Sequence, residues 1–344
     1  MPGRTSSARS VPSDSLSVVI PVFNGQGWIG DCITRVGRAV DVAGLGRVEL
    51  IVVDDGSVDA TVVEAEAATW PHSPPIRMIS QHNQGRLAAR MTGLREATGD
   101  IVLFIDTRVH LDEGSLAHVW PLLADPSTRV WTAHTVANTD LSPLAGFWQA
   151  IEHVAWRRYW RSPRQLTFGL DEFDFLPKGT TALLAPRAVL VEAFSQYEPT
   201  VDDLRISNDD TAVLRWVAEH HGISISPEYS CVYNSRTTVR AFLHHARHRG
   251  SVLIDGYMRP GARFANAIVA VLALSPIGFM LAVRYWRWIL PATAALSVGT
   301  ATAARALGAR TRDSAVLGVL AVPFGLMYLS GMWRGFAARV RSRH

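Results

Sequence analysis

Four short apolar runs, residues 17–22, 49–53, 76–80 and 100–105, alternate with helix-like stretches at about 28–43, 58–68 and 85–97. Strands buried on both faces and separated by helices predict an α/β fold built on an open, mostly parallel sheet. Ligands of such sheets bind beyond the carboxyl ends of the strands. Here the first run ends in Pro21-Val22-Phe23-Asn24, followed by Gly25. The second ends in Asp54-Asp55-Gly56-Ser57 and the fourth in Asp106-Thr107-Arg108. Each strand leads into an acid or amide where a binding site belongs.

Neither GxGxxG nor a P-loop follows the first strand, so a Gly-rich phosphate cradle is excluded. Carboxylates in that place suit two tasks. They accept hydrogen bonds from a base and ribose, or they hold a divalent cation that neutralises a diphosphate. Residues 54–57 also read as a turn in which Ser57 caps the next helix.

At 344 residues the chain exceeds one ordinary domain. Its 19% charged and 9% aromatic residues exclude a disordered or fibrous chain. Two cysteines, Cys32 and Cys231, exclude a disulfide framework and fit a reducing compartment. Residues 1–15 carry Ser, Arg and Pro without an apolar core, which reads as a flexible tail and not as a secretory signal. The chain is therefore expected to start in the cytoplasm. From Arg236 onward fifteen arginines face only Asp255 and Asp313, whereas the rest of the chain holds 19 basic and 28 acidic groups. An acidic front joined to a basic, apolar back predicts two physical environments. Residues 264–283 and 314–333 are uncharged runs of 20, the length that crosses a bilayer core, and 288–304 is a weaker run of 17. Flanking Trp, Tyr and Arg favour membrane insertion with two or three spans.

The motifs PVFN, VVDDGS, Asn83-x-Gly85-x3-Ala89-Arg90-x2-Gly93 and LFIDTR, in this order and spacing, resemble those of inverting family-2 glycosyltransferases. The likeness continues through Lys178-Gly179-Thr180-Thr181-Ala182 and Asn208-Asp209-Asp210-x3-Leu214-Arg215-Trp216, and covers roughly residues 16–250. It implies a GT-A-type, mostly parallel sheet flanked by helices, followed by C-terminal transmembrane helices. The divisions would be a tail (1–15), a nucleotide-sugar half (16–140), an acceptor and catalytic-base half (141–250), and a juxtamembrane segment with its spans (251–344). By resemblance, Pro21 and Phe23 would line the nucleobase pocket, Asn24 would belong to the donor site, and Asp55 with Asp54 would bind base and ribose. Arg86 and Arg90 would lie near the diphosphate or sugar, and Asp106 would hold a divalent cation, Mg or Mn. Asp210 would be the catalytic base beside Asp209, with Gly179, Thr180, Arg215 and Trp216 on the acceptor side.

The chemistry of Asp210 also stands on its own, because an acceptor hydroxyl needs a base and an adjacent carboxylate raises a pKa. Asn208-Asp209-Asp210 equally makes a helix start. Arg108 occupies the position of the family's second DxD carboxylate, which leaves a single-carboxylate cation site, direct donation from Arg108 to the diphosphate, or a silent copy. Residues 244–250 lack the QxxRW of processive synthases, so addition of one sugar is expected. His244 and His248 share a helical face without a third ligand, and a basic juxtamembrane face is expected there instead of zinc. Aromatic residues from Phe147 to Trp160 recur at helical spacing among arginines, as in an amphipathic core helix or one in the lipid headgroup zone.

The sequence thus predicts a multi-pass enzyme of the plasma (inner) membrane with a cytoplasmic catalytic domain. Its partners would be a nucleotide-diphosphate sugar, a hydroxyl of a lipid-linked or envelope glycan, and membrane lipids, with no nucleic acid. A polyprenyl-phosphate acceptor, already ionised and needing no base, is the first alternative, and a non-catalytic membrane scaffold is the second.

Overall fold

A computed structural model describes residues 15–208, 210–259, 262 and 264–342. In chain order the front half runs β1 (Leu16–Val22), α1 (Ile29–Val42), β2 (Val48–Asp54), α2 (Thr61–Glu66), β3 (Arg77–Ser80), α3 (Arg86–Glu96) and β4 (Ile101–Ile105). All seven residues of β1 are buried, as a strand covered on both faces requires. On one face α1 packs Ile29, Ile33, Val36 and Val40, a helical i, i+4, i+7 stripe. On the other lies α3, held close because Gly93 has no side chain to strike Val19.

The chain continues through β5 (Val109–Leu111), α4 (Ser115–Val119), β6 (Trp131–Thr132), β7 (His134–Ala137), α5 (Ala145–Ala155), α6 (Arg157–Trp160) and β8 (Leu166–Phe168). Next come β9 (Ala182–Pro186), α7 (Arg187–Ser195), α8 (Thr211–His220), β10 (Ile223–Ile225) and β11 (Ser230–Tyr233). The main sheet has the order β3-β2-β1-β4-β9-β6-β10-β8, with β5-β11-β7 as a small second sheet. Strands β1 to β4 are parallel as expected, but β9 runs antiparallel to β4 and to β6, so the whole sheet is mixed.

The chain closes with α9 (Val239–Tyr257), α10 (Ala265–Arg284), α11 (Ile289–Ala306) and α12 (Thr311–Arg341). Two of these, α10 and the 31-residue α12, are by length and composition long and apolar enough to cross a membrane. The weaker third run is α11, a helix that does not meet that measure. The aromatic stretch expected as one helix breaks at Trp156 into α5 and α6. Its Phe147 and Trp148 pack on Phe242 of α9 and Phe324 of α12, so this part is core, not a headgroup-zone helix.

Helices α9 and α12 lie nearly backbone to backbone. A Cβ on Gly250 would fall onto the Tyr328 carbonyl, one on Gly331 onto that of Arg247, and one on Gly335 would stand 2.5 Å from that of Ser251. Ser251 Oγ donates to the Gly331 carbonyl at 3.1 Å across the seam. Small residues at every approach are what such contact demands. Gly331→Leu should therefore destabilise detergent-solubilised protein by about 1–3 kcal/mol or more through overpacking. Gly325→Leu, at a position with open space, should leave the thermal midpoint nearly unchanged. Equal midpoints for the two variants would contradict this packing.

Candidate active site

The loops after β1 and β2 are bonded into one surface. Asn24 adopts a left-handed backbone with φ +50°, a conformation that asparagine tolerates better than most residues. Its amide donates to Ser57 Oγ at 2.8 Å, and its side-chain oxygen accepts from the Val58 amide at 3.0 Å. The amides of Gly25, Gln26 and Gly27 donate to Thr61, Asp59 and Glu64. The paired aspartates diverge. Asp54 is buried and accepts from the Ser57 amide at 3.0 Å, so the turn is present, but Ser57 does not cap the next helix: the N-cap of α2 is Ala60, and the Ser57 hydroxyl serves Asn24 instead. Asp55 lines the cavity while accepting from Gln81 Nε2 and the amides of Gln84 and Gly85 at 2.7–2.9 Å. Gly85, with φ +95°, lies against Leu204 and Arg205, where a Cβ would stand 2.6 Å from the Arg205 Cα.

Beyond β4, Asp106 meets two arginines. Arg90 is fully buried behind it, not in the cavity, and donates to Asp106 Oδ1 at 2.7 Å and to the Thr180 carbonyl at 3.2 Å. Arg86 Nη1 lies 3.8 Å from Asp106 Oδ2. Among the described residues no group of three His, Cys, Asp or Glu side chains could hold a metal ion. One oxygen of Asp106 is committed to Arg90 and the other lies beside Arg86, so Asp106 offers a cation at most one carboxylate here.

Arg108 stacks over Trp28 at 4.5 Å, and burial followed by the charge of Arg236 pulls it down to about 10. Arg236 Nη1 is buried without a hydrogen-bond partner among the described residues. Two guanidiniums that repel each other in a desolvated wall have their natural complement in an anion.

All of this faces one cavity of about 1590 Å³. Pro21, Phe23, Asn24, Asp55, Arg86, Asp106 and Arg108 stand on one side, and Leu204–Ser207 close another. The remaining wall comes from α9 and α12, through Arg240, His244, His245, Arg247, His248, Met327 and Arg334. Seven arginines and two carboxylates line it among the described residues. Burial, then Arg249 and Arg236, hold His245 well below its ordinary value, so this imidazole is neutral near pH 7. Arg236, Arg240 and Arg334 were not singled out in the sequence. The charge asymmetry beginning at Arg236 was the available signal, but it does not show that this face turns toward the donor loops.

Of the expected base pair, Asp209 lies outside the described residues. Asp210 precedes α8, accepts from Thr211 Oγ1 at 2.9 Å, and is not among the residues lining the cavity. It stands in the field of Lys178, the chain's single lysine. Lys178 Nζ lies 4.3 Å from the centre of the Phe173 ring, and burial pulls it down to about 8. Of the acceptor-side residues, Arg215 pairs with Asp174 at 3.1 Å and Trp216 stacks on His220 at 4.3 Å. Gly179 exchanges bonds with the Thr132 hydroxyl, and Thr180 is buried beneath Asp106. None of these four lines the cavity.

Residues 17–179 match the family model described as Glycosyl transferase family 2, so the chain contains a domain of that family. The dodecaprenyl-phosphate galacturonate synthase of Rhizobium johnstonii is 38% identical over 97 residues, which is 28% of this chain and 28% of the relative. The undecaprenyl-phosphate 4-deoxy-4-formamido-L-arabinose transferase of Shewanella sediminis is 36% identical over 95 residues, 27% of this chain and 28% of the relative. The chain thus matches under a third of the length of these relatives. The mannosyltransferase PcManGT from Pyrobaculum calidifontis, solved in complex with GDP-Man and Mn2+, superposes with a TM-score of 0.54. At 18% identity over 92% of this chain and 87% of that one, it shares the fold.

Lys178 provides a pH signature for the acceptor half. Its folded pKa is lowered, so between about pH 8 and 10.4 the unfolded chain holds a proton that the native state has lost. Stability from this group therefore rises with pH in that window. The stability of the wild type relative to Lys178→Met should climb between pH 7 and 10 in denaturant titrations. A flat difference would refute the shift.

Proposed function

We propose that this glycosyl transferase family 2 domain moves a single sugar from a nucleoside-diphosphate sugar to the phosphate of a polyprenyl-type lipid carrier. The observation that carries the reading is the charge of the cavity, seven arginines against two carboxylates, with Arg236 Nη1 buried and unpartnered. The donor's base would rest against Pro21 and Phe23, its ribose near Asp55, and its diphosphate between Arg86 and Arg108. A second anion, the carrier phosphate, would meet Arg236, Arg240 and Arg334. Its chain would run along the apolar faces of α10 and α12. Relatives named for transfer to dodecaprenyl and undecaprenyl phosphate support this acceptor class.

In this reading a phosphate oxygen of the carrier attacks the anomeric carbon while the bond to the nucleoside diphosphate breaks on the opposite face, which inverts the configuration. The electron pair leaves with the diphosphate, and its growing charge is met by Arg86 and Arg108. The carrier is already ionised, so no proton has to be removed. A divalent cation, as in the Mn2+ complex of the Pyrobaculum protein, would have Asp106 as its one carboxylate here and would neutralise diphosphate charge when bound. We put the enzyme on the cytoplasmic face of the plasma (inner) membrane as a multi-pass protein, the side on which nucleotide sugars are made. The half-buried Asp210 at the start of α8 favours a second reading, a hydroxyl acceptor deprotonated by that carboxylate.

Transfer by detergent-purified protein, from a panel of nucleotide sugars to undecaprenyl phosphate, separates the two. Asp210→Asn should lose less than about tenfold, whereas a loss of about 10²–10⁴-fold would give Asp210 the role of a base and count against an acceptor that is already ionised. Arg236→Ala should lower transfer to the lipid phosphate about 10–100-fold, as removal of a charge-assisted anion contact does. Failure of every nucleotide sugar to bind folded protein would refute both readings. A separate calorimetric titration addresses the cation. Because Arg86 and Arg108 supply the positive charge, Mn2+ should strengthen nucleoside-diphosphate binding by less than about tenfold. An absolute requirement for Mn2+ would make Asp106 the dominant element.

A further inference from the structure

The carboxylate of Asp255, on α9, has no part in the chemistry above, yet it is fully buried and gathers six donors. Its Oδ1 accepts from the Thr200 amide and the Thr200 hydroxyl, both at 2.7 Å, and from Arg259 Nη2 at 3.3 Å. Its Oδ2 accepts from the Tyr197 hydroxyl, from Ser207 Oγ at 2.9 Å and from the Asn208 amide at 2.7 Å. A carboxylate taken out of water is tolerated only when its lone pairs are satisfied. Burial alone would raise its pKa, but the donors outweigh burial and hold it below the usual carboxylate range.

Every donor except Arg259 comes from residues 197–208, a segment with little regular structure of its own. That segment runs along the cavity through Leu204, Ile206 and Ser207 and ends one residue before Asp209. Its far side abuts Gly85, whose amide is bonded to Asp55. The C-terminal end of α12 holds it as well. Arg339 donates to Thr200 Oγ1 at 3.1 Å, and the Asp202 amide donates to Ser342 Oγ at 3.0 Å. Gly256 approaches Asn208 so closely that a Cβ there would stand 2.7 Å from its Nδ2.

We infer that Asp255 is a positioning residue for sugar transfer: from the juxtamembrane helix it sets the course of residues 200–208, and with them the acceptor-side wall of the cavity. The inference rests on the transfer reaction proposed above for that cavity. A surface loop on a membrane-proximal domain would ordinarily sample many conformations, and a wall facing a reaction must not. One ionised side chain that binds four backbone and hydroxyl groups of the segment supplies the order without touching substrate.

Asp255→Asn tests this in the full chain, because an amide keeps the shape but turns two acceptor sites into donors facing donors. Tyr197→Phe removes a hydroxyl that does not itself line the cavity, with its bonds to Asp255 and Ser207, and serves if Asp255→Asn fails to fold. Three quantities are read for each variant: hydrogen exchange of residues 200–208, affinity for the nucleoside diphosphate, and kcat/KM for transfer to undecaprenyl phosphate. The expected result is faster exchange confined to 200–208, nucleotide affinity within about threefold of wild type, and kcat/KM lowered about 10–100-fold by Asp255→Asn, with Tyr197→Phe shifted the same way by less. Unchanged exchange in 200–208 overturns the inference. So does a parallel fall in nucleotide binding and transfer, which marks a general loss of folded protein. Absence of transfer by the wild type defeats the proposed reaction instead, while the exchange measurement still decides whether Asp255 orders the segment.

Discussion

A guanidinium cannot be carried out of water without an anion to receive it, and in this fold that requirement is met by Arg90 and Asp106. Arg90 rises from α3 into the core with no exposure and reaches the carboxylate that ends β4. It also bonds the carbonyl of Thr180, just ahead of the antiparallel strand β9. One side chain thereby ties a helix, the central strand and the first turn of the acceptor half. Removing one partner of such a pair costs about 3–5 kcal/mol in buried settings, so the pair fixes where the cavity floor lies. It also sets the character of that floor, because an aspartate already paired offers little to a cation, and the nearby positive charge belongs to protein.

The rest of the cavity follows from the same electrostatics. The acidic and amide residues after β1 and β2 are largely spent on one another's backbone: Asp54 on Ser57, Asp55 on the 84–85 turn, Asp59 and Glu64 on the amides of 26 and 27. They build shape. The opposite wall, from β11 through α9 and α12, presents guanidiniums with few partners among the described residues, and Arg236 on it repels Arg108, which follows β4. Rigid acidic loops across from a wall rich in guanidiniums make a site whose charge would suit a ligand bearing more than one negative group.

Much of this was legible in the sequence, for identifiable reasons. Strands β1 to β4 read clearly because both faces are covered and each is a continuous apolar run. That Phe23, Asn24 and Asp55 would stand together at one cavity could be anticipated because strand ends mark the ligand side of any such sheet. The reversal at β9 could not be read, since Ala182–Pro186 is as apolar as a parallel strand and direction leaves no periodicity. The placement of Arg90 in the core, and not at the diphosphate, depends on the carbonyl of Thr180, ninety residues away. Asp255 looked like a stray acid in a basic tail. Its meaning lies in donors 47–58 residues earlier that only the folded chain brings to it.

The length of α12 has a mechanical consequence. At 31 residues it is ~46 Å long, against a hydrocarbon core of about 30 Å. Once inserted, roughly a third of the rod must stand clear of the lipid or the whole must tilt. The portion beyond Gly331 is clasped to α9 and pinned to Thr200 and Asp202. Nearer its start, α12 sets Asp313 against Gly146 and Phe324 against Phe147 of α5, so helix and globular part are joined along much of the rod and form one body. In a bilayer, reach would then be set by geometry: head groups arriving at the height of the cavity mouth would be presented to it, and chemically identical groups held farther out would not.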